Sequence, residues 1–176
     1  MDNETQKTTF FYQLKSYGLK KFLISFDFII AIITLMVMLI DSYLSLDIFS
    51  GGNSNYVIAI FAVASTLFAI VLAALAIILS FSNSEFMSFL RQNNKLSSLL
   101  FLFWIGNVAY LVVIILSTVY LVVNLEKYVF IQKYLYPFIV AIFIYGVINT
   151  FYLLETVIRF GHFLDVYERL RQGKKN

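Results

Sequence analysis

Four long apolar stretches dominate this chain, and each is long enough to cross a bilayer. They run from Phe22 to Leu44, Tyr56 to Phe81, Leu99 to Val123 and Pro137 to Phe160. A helix rises about 1.5 Å per residue, so roughly 20 apolar residues cover about 30 Å of hydrocarbon. Hydrocarbon offers no partner to backbone N–H and C=O groups, and a helix pairs them within one segment. The predicted fold is all-α: an integral membrane bundle of four transmembrane helices. In a chain of 176 residues little remains outside the spans. Residues 1–21 form a cytoplasmic amphipathic segment, 22–160 the four-span domain and 161–176 a basic cytoplasmic tail.

Composition narrows the chemistry. Charged residues make up 13% of the chain, about half the share usual in soluble domains. The absence of cysteine excludes disulfides, thiolate metal sites and cysteine nucleophiles. The sequence holds no His-Glu-x-x-His, no Gly-x-Ser-x-Gly, no phosphate-binding glycine loop and no aspartate-rich cluster suited to magnesium. A non-enzymatic protein is expected, with no cofactor, no metal and no catalytic residue. The first stretch follows a polar leader, runs beyond the usual apolar core of a signal peptide and lacks an Ala-x-Ala-like site, so it reads as a retained anchor.

Cations give the predicted orientation, because Lys and Arg are retained on the cytoplasmic side during insertion. Of the 13 Lys and Arg, only Lys127 and Lys133 lie in the loops predicted to be outside. The others flank the termini or occupy the middle loop, placing both termini in the cytoplasm of a multi-pass protein of the cell membrane. Outside, Ser50-Gly51-Gly52-Asn53-Ser54-Asn55 is a turn-rich link. Tyr128, Phe130, Tyr134 and Tyr136 suit an aromatic belt at the headgroups, with Pro137 in the first turn of the following helix.

Three segments on the cytoplasmic side have amphipathic spacing: Phe10, Leu14 and Tyr17; Phe86, Phe89 and Leu90; and Phe163, Leu164, Tyr167 and Leu170. Ser82-Asn83-Ser84-Glu85 supplies a capping box for the middle one. The simpler reading rests these segments on the anionic inner leaflet; the sharper one docks a soluble partner. Arg169, Arg171, Lys174 and Lys175 are the candidate contacts to partner or headgroups. Their place beside a membrane makes lipid a better counter-charge than nucleic acid, and no direct nucleic-acid binding is expected.

Within the second span Ser65, Ala69 and Ala73 stand four apart, continued by Ala76 and Ser80. Small side chains let backbones approach. This face serves either an oligomer interface or, the preferred expectation, central burial of the helix within one bundle. At mid-depth Thr34, Ser65, Thr66, Asn107 and Asn149 are expected to hydrogen-bond across helices.

The most informative polar feature is in the fourth span, where Tyr152, Glu155, Arg159 and His162 share one helical face. Glu155 and Arg159 are spaced for an intrahelical ion pair, and Asp27, at similar depth in the first span, is within reach of Arg159. Asp27, Glu155, Arg159 and His162 form a candidate polar inner mouth for ions or protons. The simpler expectation is a salt-bridge cluster locking two helices near the interface.

Ile77-Ile78-Leu79-Ser80-Phe81, Glu85-Phe86, Phe89-Leu90, Leu99-Leu100-Phe101 and Trp104 resemble the pattern of small prokaryotic four-span proteins, some of them membrane subunits of phage-defence systems. The resemblance spans about a third of the chain and carries over no functional residue. It implies a membrane sensor or pore-forming effector working with a soluble partner. The leading expectation is a non-enzymatic, homo-oligomeric membrane subunit presenting a basic cytoplasmic face to a soluble partner or the inner leaflet. The alternative is an oligomeric pore or ion channel.

Overall fold

The computed structural model describes residues 25–44, 54–81, 88, 95–123 and 129–173. Among them there is no strand, and four helices account for the fold: α1 (Phe26–Leu44), α2 (Ser54–Phe81), α3 (Lys95–Val122) and α4 (Val129–Gly173). All four are long and apolar enough to cross a membrane. The protein is a membrane-embedded, multi-pass helix bundle.

Helix α4 departs most from the predicted spans. It is 45 residues long, which at about 1.5 Å per residue gives roughly 68 Å, twice the hydrocarbon thickness. It runs through the boundary expected between Phe160 and the tail without a break. Pro137 lies inside it rather than in its first turn. Proline has no N–H to offer the carbonyl four residues back, and Pro137 is fully buried, where neighbouring helices cover the site.

The helices pack in the order α2, α3, α4, α1, with α2 touching α4 only lightly. The closest partner of α1 thus comes from the far end of the chain. The buried residues of α2 are Val57, Ala64, Val71 and Ile78, seven apart, with Ile60, Leu67 and Ala74 partly buried between them. Alternating steps of three and four keep one seam against a neighbour and give left-handed bundle packing with crossings near 20°. The inward seam of α1 follows the same steps through Asp27, Ala31, Thr34, Met38 and Asp41. One apolar core joins Val71 and Ile78 of α2 to Phe103, Tyr110 and Val113 of α3 and to Ile139, Leu153 and Phe160 of α4. A smaller contact of Ala31, Ala109 and Tyr145 holds α1 to α3 and α4.

Hydropathy hides these seams, because the opposite faces are also apolar. Ile33, Met36 and Ile40 of α1 and Ile70 and Ile77 of α2 point outward, where hydrocarbon suits them. The small-residue face of α2 also points outward. Ala69, Ala73, Ala76 and Ser80 are exposed and Ser65 is half-buried, so central burial of this face, the preferred expectation, is corrected. The residues that bury α2 are Val57, Ala64, Val71 and Ile78, and a seven-residue repeat places the small residues on another side.

The amphipathic segments predicted before α1 and between α2 and α3, with their capping box, lie outside the described residues. In the tail, Phe163 is exposed while Leu164 packs on the main core.

Candidate functional site

The site is built on the junction of α3 and α4, where each helix sets a large side chain over a glycine of the other. A Cβ on Gly146 would stand 2.8 Å from Cε1 of Tyr110, and one on Gly106 would stand 2.5 Å from Nδ2 of Asn149. Both distances are below van der Waals contact, so neither position has room for a methyl group. The Thr150 hydroxyl donates to the Gly146 carbonyl at 3.0 Å. Its single hydrogen is thereby used, and the Tyr110 O–H donates to Thr150 Oγ1 at 2.6 Å. The Asn149 amide donates across to the Leu102 carbonyl at 3.4 Å. These contacts fix the register of the two helices.

Beside this junction, at the end of the bundle where α1 begins, α1, α3 and α4 enclose a cleft of about 300 Å³. Phe101, Leu102, Ile105 and Tyr145 form much of its wall, and Asp27, Asn149, Glu155 and Arg159 bring polar groups to it. Along α4, Asn149 and Arg159 are separated by about 15 Å, half the hydrocarbon thickness. The cleft therefore reaches from the depth of Arg159 toward the middle of the bundle. Tyr145, on its wall, also takes part in the Ala31–Ala109–Tyr145 contact.

Asp27 is 6% exposed and lines this cleft. It lies in the first turn of α1, just after Ser25, whose carbonyl accepts the Ile29 N–H at 3.1 Å. A carboxylate there meets the positive end of the helix dipole. No hydrogen bond or ion pair joins the Asp27 side chain to another described residue. Glu155 and Arg159 form the ion pair that their spacing predicts. Arg159 engages Glu155 and makes no ion pair with Asp27, although all three line one cleft. His162 is exposed and does not line it.

Further along α4, Arg169 grips Asp165 with two nitrogens, Nε to Oδ1 at 3.3 Å and Nη2 to Oδ2 at 3.1 Å. Arg171 falls in the last turns of the same helix, and Lys174 and Lys175 lie outside the described residues.

Of the mid-depth polar residues, Asn149 bridges two helices as expected. Ser65, Thr66 and Asn107 instead donate to carbonyls four residues back, at 2.8, 2.9 and 2.9 Å. Hydroxyls and short amides in a helix have that acceptor always within reach, so they need no neighbour. The Oδ1 of Asn107 and the Oγ of Ser117 are buried with no hydrogen-bond partner. Sequence reasoning missed the Tyr110–Thr150 pair and Asp41, which is 8% exposed on the inward seam of α1. Their signals were present: Gly106 and Tyr110 on α3, like Gly146 and Thr150 on α4, stand four apart, and Asp41 lies two heptads from Asp27.

No protein family, no curated protein and no solved structure matches this chain.

Proposed function

We propose that the chain is a non-enzymatic, oligomeric subunit of a cell membrane, with both termini in the cytoplasm, that presents a basic face to a soluble partner. The observation that carries this reading is the unbroken run of α4 past Phe160 to Gly173. A segment lying on the headgroups must turn away from the axis of its span, and such turns come from prolines, glycine pairs or interrupted hydrogen bonding. No turn interrupts α4, so it extends the span as a stalk, and residues 161–173 reach about 20 Å beyond Phe160. Arg169 lies on that extension, beyond the apolar stretch Tyr134–Val166. The outward line of Ala69, Ala73, Ala76 and Ser80 on α2 suits close approach of a second copy and supports the oligomeric part of the reading. The likeness to phage-defence membrane subunits agrees with a soluble partner.

The test is a fluorophore on residue 169 in vesicles containing brominated lipids, alongside co-purification from the native cell. A docking stalk leaves the fluorophore unquenched, and neutralising Arg169, Arg171, Lys174 and Lys175 releases the co-purifying protein. Strong quenching together with unchanged co-purification refutes docking.

A second reading, an oligomeric pore with Asp27, Glu155, Arg159 and His162 at its inner mouth, draws support from the cleft. The Ala31–Ala109–Tyr145 contact beside it means that a path across the membrane would have to run between copies. Planar-bilayer recordings test it: absence of conductance, or conductance unaffected by D27N, removes it.

A further inference from the structure

A buried carboxylate without a partner is costly in any protein and more so at membrane depth, where water is scarce. Among the described residues Asp27 has no hydrogen-bond or ion-pair partner, and it lies on the wall of the cleft at 6% exposure. Among the described residues the one cation lining the cleft, Arg159, is engaged by Glu155. Asp27 and Glu155 set against Arg159 leave the described lining with a formal excess of one negative charge. Around it stand the rings of Phe26, Phe101, Tyr145 and Tyr152.

From this arrangement we infer that the cleft is a binding site for an organic ammonium group, with Asp27 as its counter-ion and the aromatic rings as its walls. The inference stands apart from docking at the stalk, because it uses other residues.

Three features select this class of ligand. An inorganic cation such as calcium or magnesium needs a shell of several oxygens. Here Glu155 is held by Arg159, and the Thr156 hydroxyl donates to the Tyr152 carbonyl at 2.8 Å, which leaves Asp27 as the only uncommitted carboxylate among the described residues of the lining. An ammonium carrying carbon substituents needs no such shell, and aromatic faces attract it through their quadrupoles. A volume of about 300 Å³, with mostly apolar walls and a few polar groups, matches small-molecule sites. The ammonium belongs either to a free amphiphile or to the headgroup of an amine-bearing lipid.

Full-length protein in nanodiscs of phosphatidylglycerol, a lipid without an ammonium, is titrated calorimetrically with benzyltrimethylammonium. The expected result is saturable binding, weakened on the order of 30-fold in D27N and largely kept in D27E, with no comparable binding of the uncharged isostere neopentylbenzene. Adding phosphatidylethanolamine to the discs separates the sources: competition with the probe assigns the site to a lipid headgroup, and unchanged binding assigns it to a free ammonium. Absence of saturable binding to the wild type overturns the inference. Equal affinity of D27N, or equal affinity for the isostere, does the same. The isostere comparison uses the wild type alone, so it decides the matter even where a variant fails to fold.

Discussion

At the scale of single residues, the bundle depends most on two positions that carry no side chain. Gly106 and Gly146 let α3 and α4 approach until Asn149 and Tyr110 lie over bare backbone. Alanine at Gly146 forces a methyl group into the Tyr110 ring, and overpacking of this kind typically costs about 1–3 kcal/mol. Thermal unfolding in detergent should show G146A destabilised by that amount. Gly161 is the contrast, with nothing within 4 Å of its notional Cβ. There the helical preference of alanine over glycine should stabilise G161A by roughly 0.5–1 kcal/mol. Ser117 offers a third measurement. Its hydroxyl is buried without a partner, so S117A should be neutral or slightly stabilising, since removing an unsatisfied polar group relieves a desolvation cost of about 1–3 kcal/mol. A clear loss of stability in S117A would show that the hydroxyl is satisfied in the membrane.

At the scale of elements, α4 is the most consequential helix, because it links the bundle core, the cleft and the charged stalk of Asp165, Glu168, Arg169 and Arg171 in one helix. Proline inside a helix removes a hydrogen bond and costs about 3 kcal/mol or more. G161P should therefore bend or break the stalk just past Phe160 while leaving every charge of the tail in place. Electron-paramagnetic distance measurements between labels at residues 148 and 169 should report a single long distance in the wild type and a shorter, broader distribution in G161P. On the docking reading, G161P should also lose its partner although its net charge is unchanged. Retained co-purification would mean that charge alone, without a rigid stalk, suffices.

At the scale of the whole molecule, the absence of cysteine makes topology directly measurable. Single-cysteine variants N3C, G52C and K175C should divide under a membrane-impermeant maleimide applied to intact cells: G52C labelled, N3C and K175C protected. Labelling of K175C would reverse the orientation and with it the cytoplasmic docking. The helix order α2, α3, α4, α1 also leaves α2 at one edge of the bundle, so bulky replacements on its outward face should spare the monomer. A73L should leave thermal stability within about 0.5 kcal/mol, as surface substitutions do. The same change should lower the oligomeric state seen by crosslinking if that face joins copies.

Length and hydropathy were sufficient to set the number of spans and the helical class, because hydrocarbon penalises unpaired backbone regardless of which side chains surround it. The pairing of Glu155 with Arg159 was also legible, since both lie on one helix and their spacing defines their distance. Which face of each helix meets protein was not, because lipid and neighbouring helices accept the same side chains. Only the assembled bundle separated Val71 from Ile70, turned Ala69, Ala73 and Ala76 of α2 outward, and set Tyr110 over Gly146. It also decided how the predicted cluster is arranged: Asp27, Glu155 and Arg159 share one cleft, as their matching depths predict, while Arg159 pairs with Glu155 and His162 stays outside.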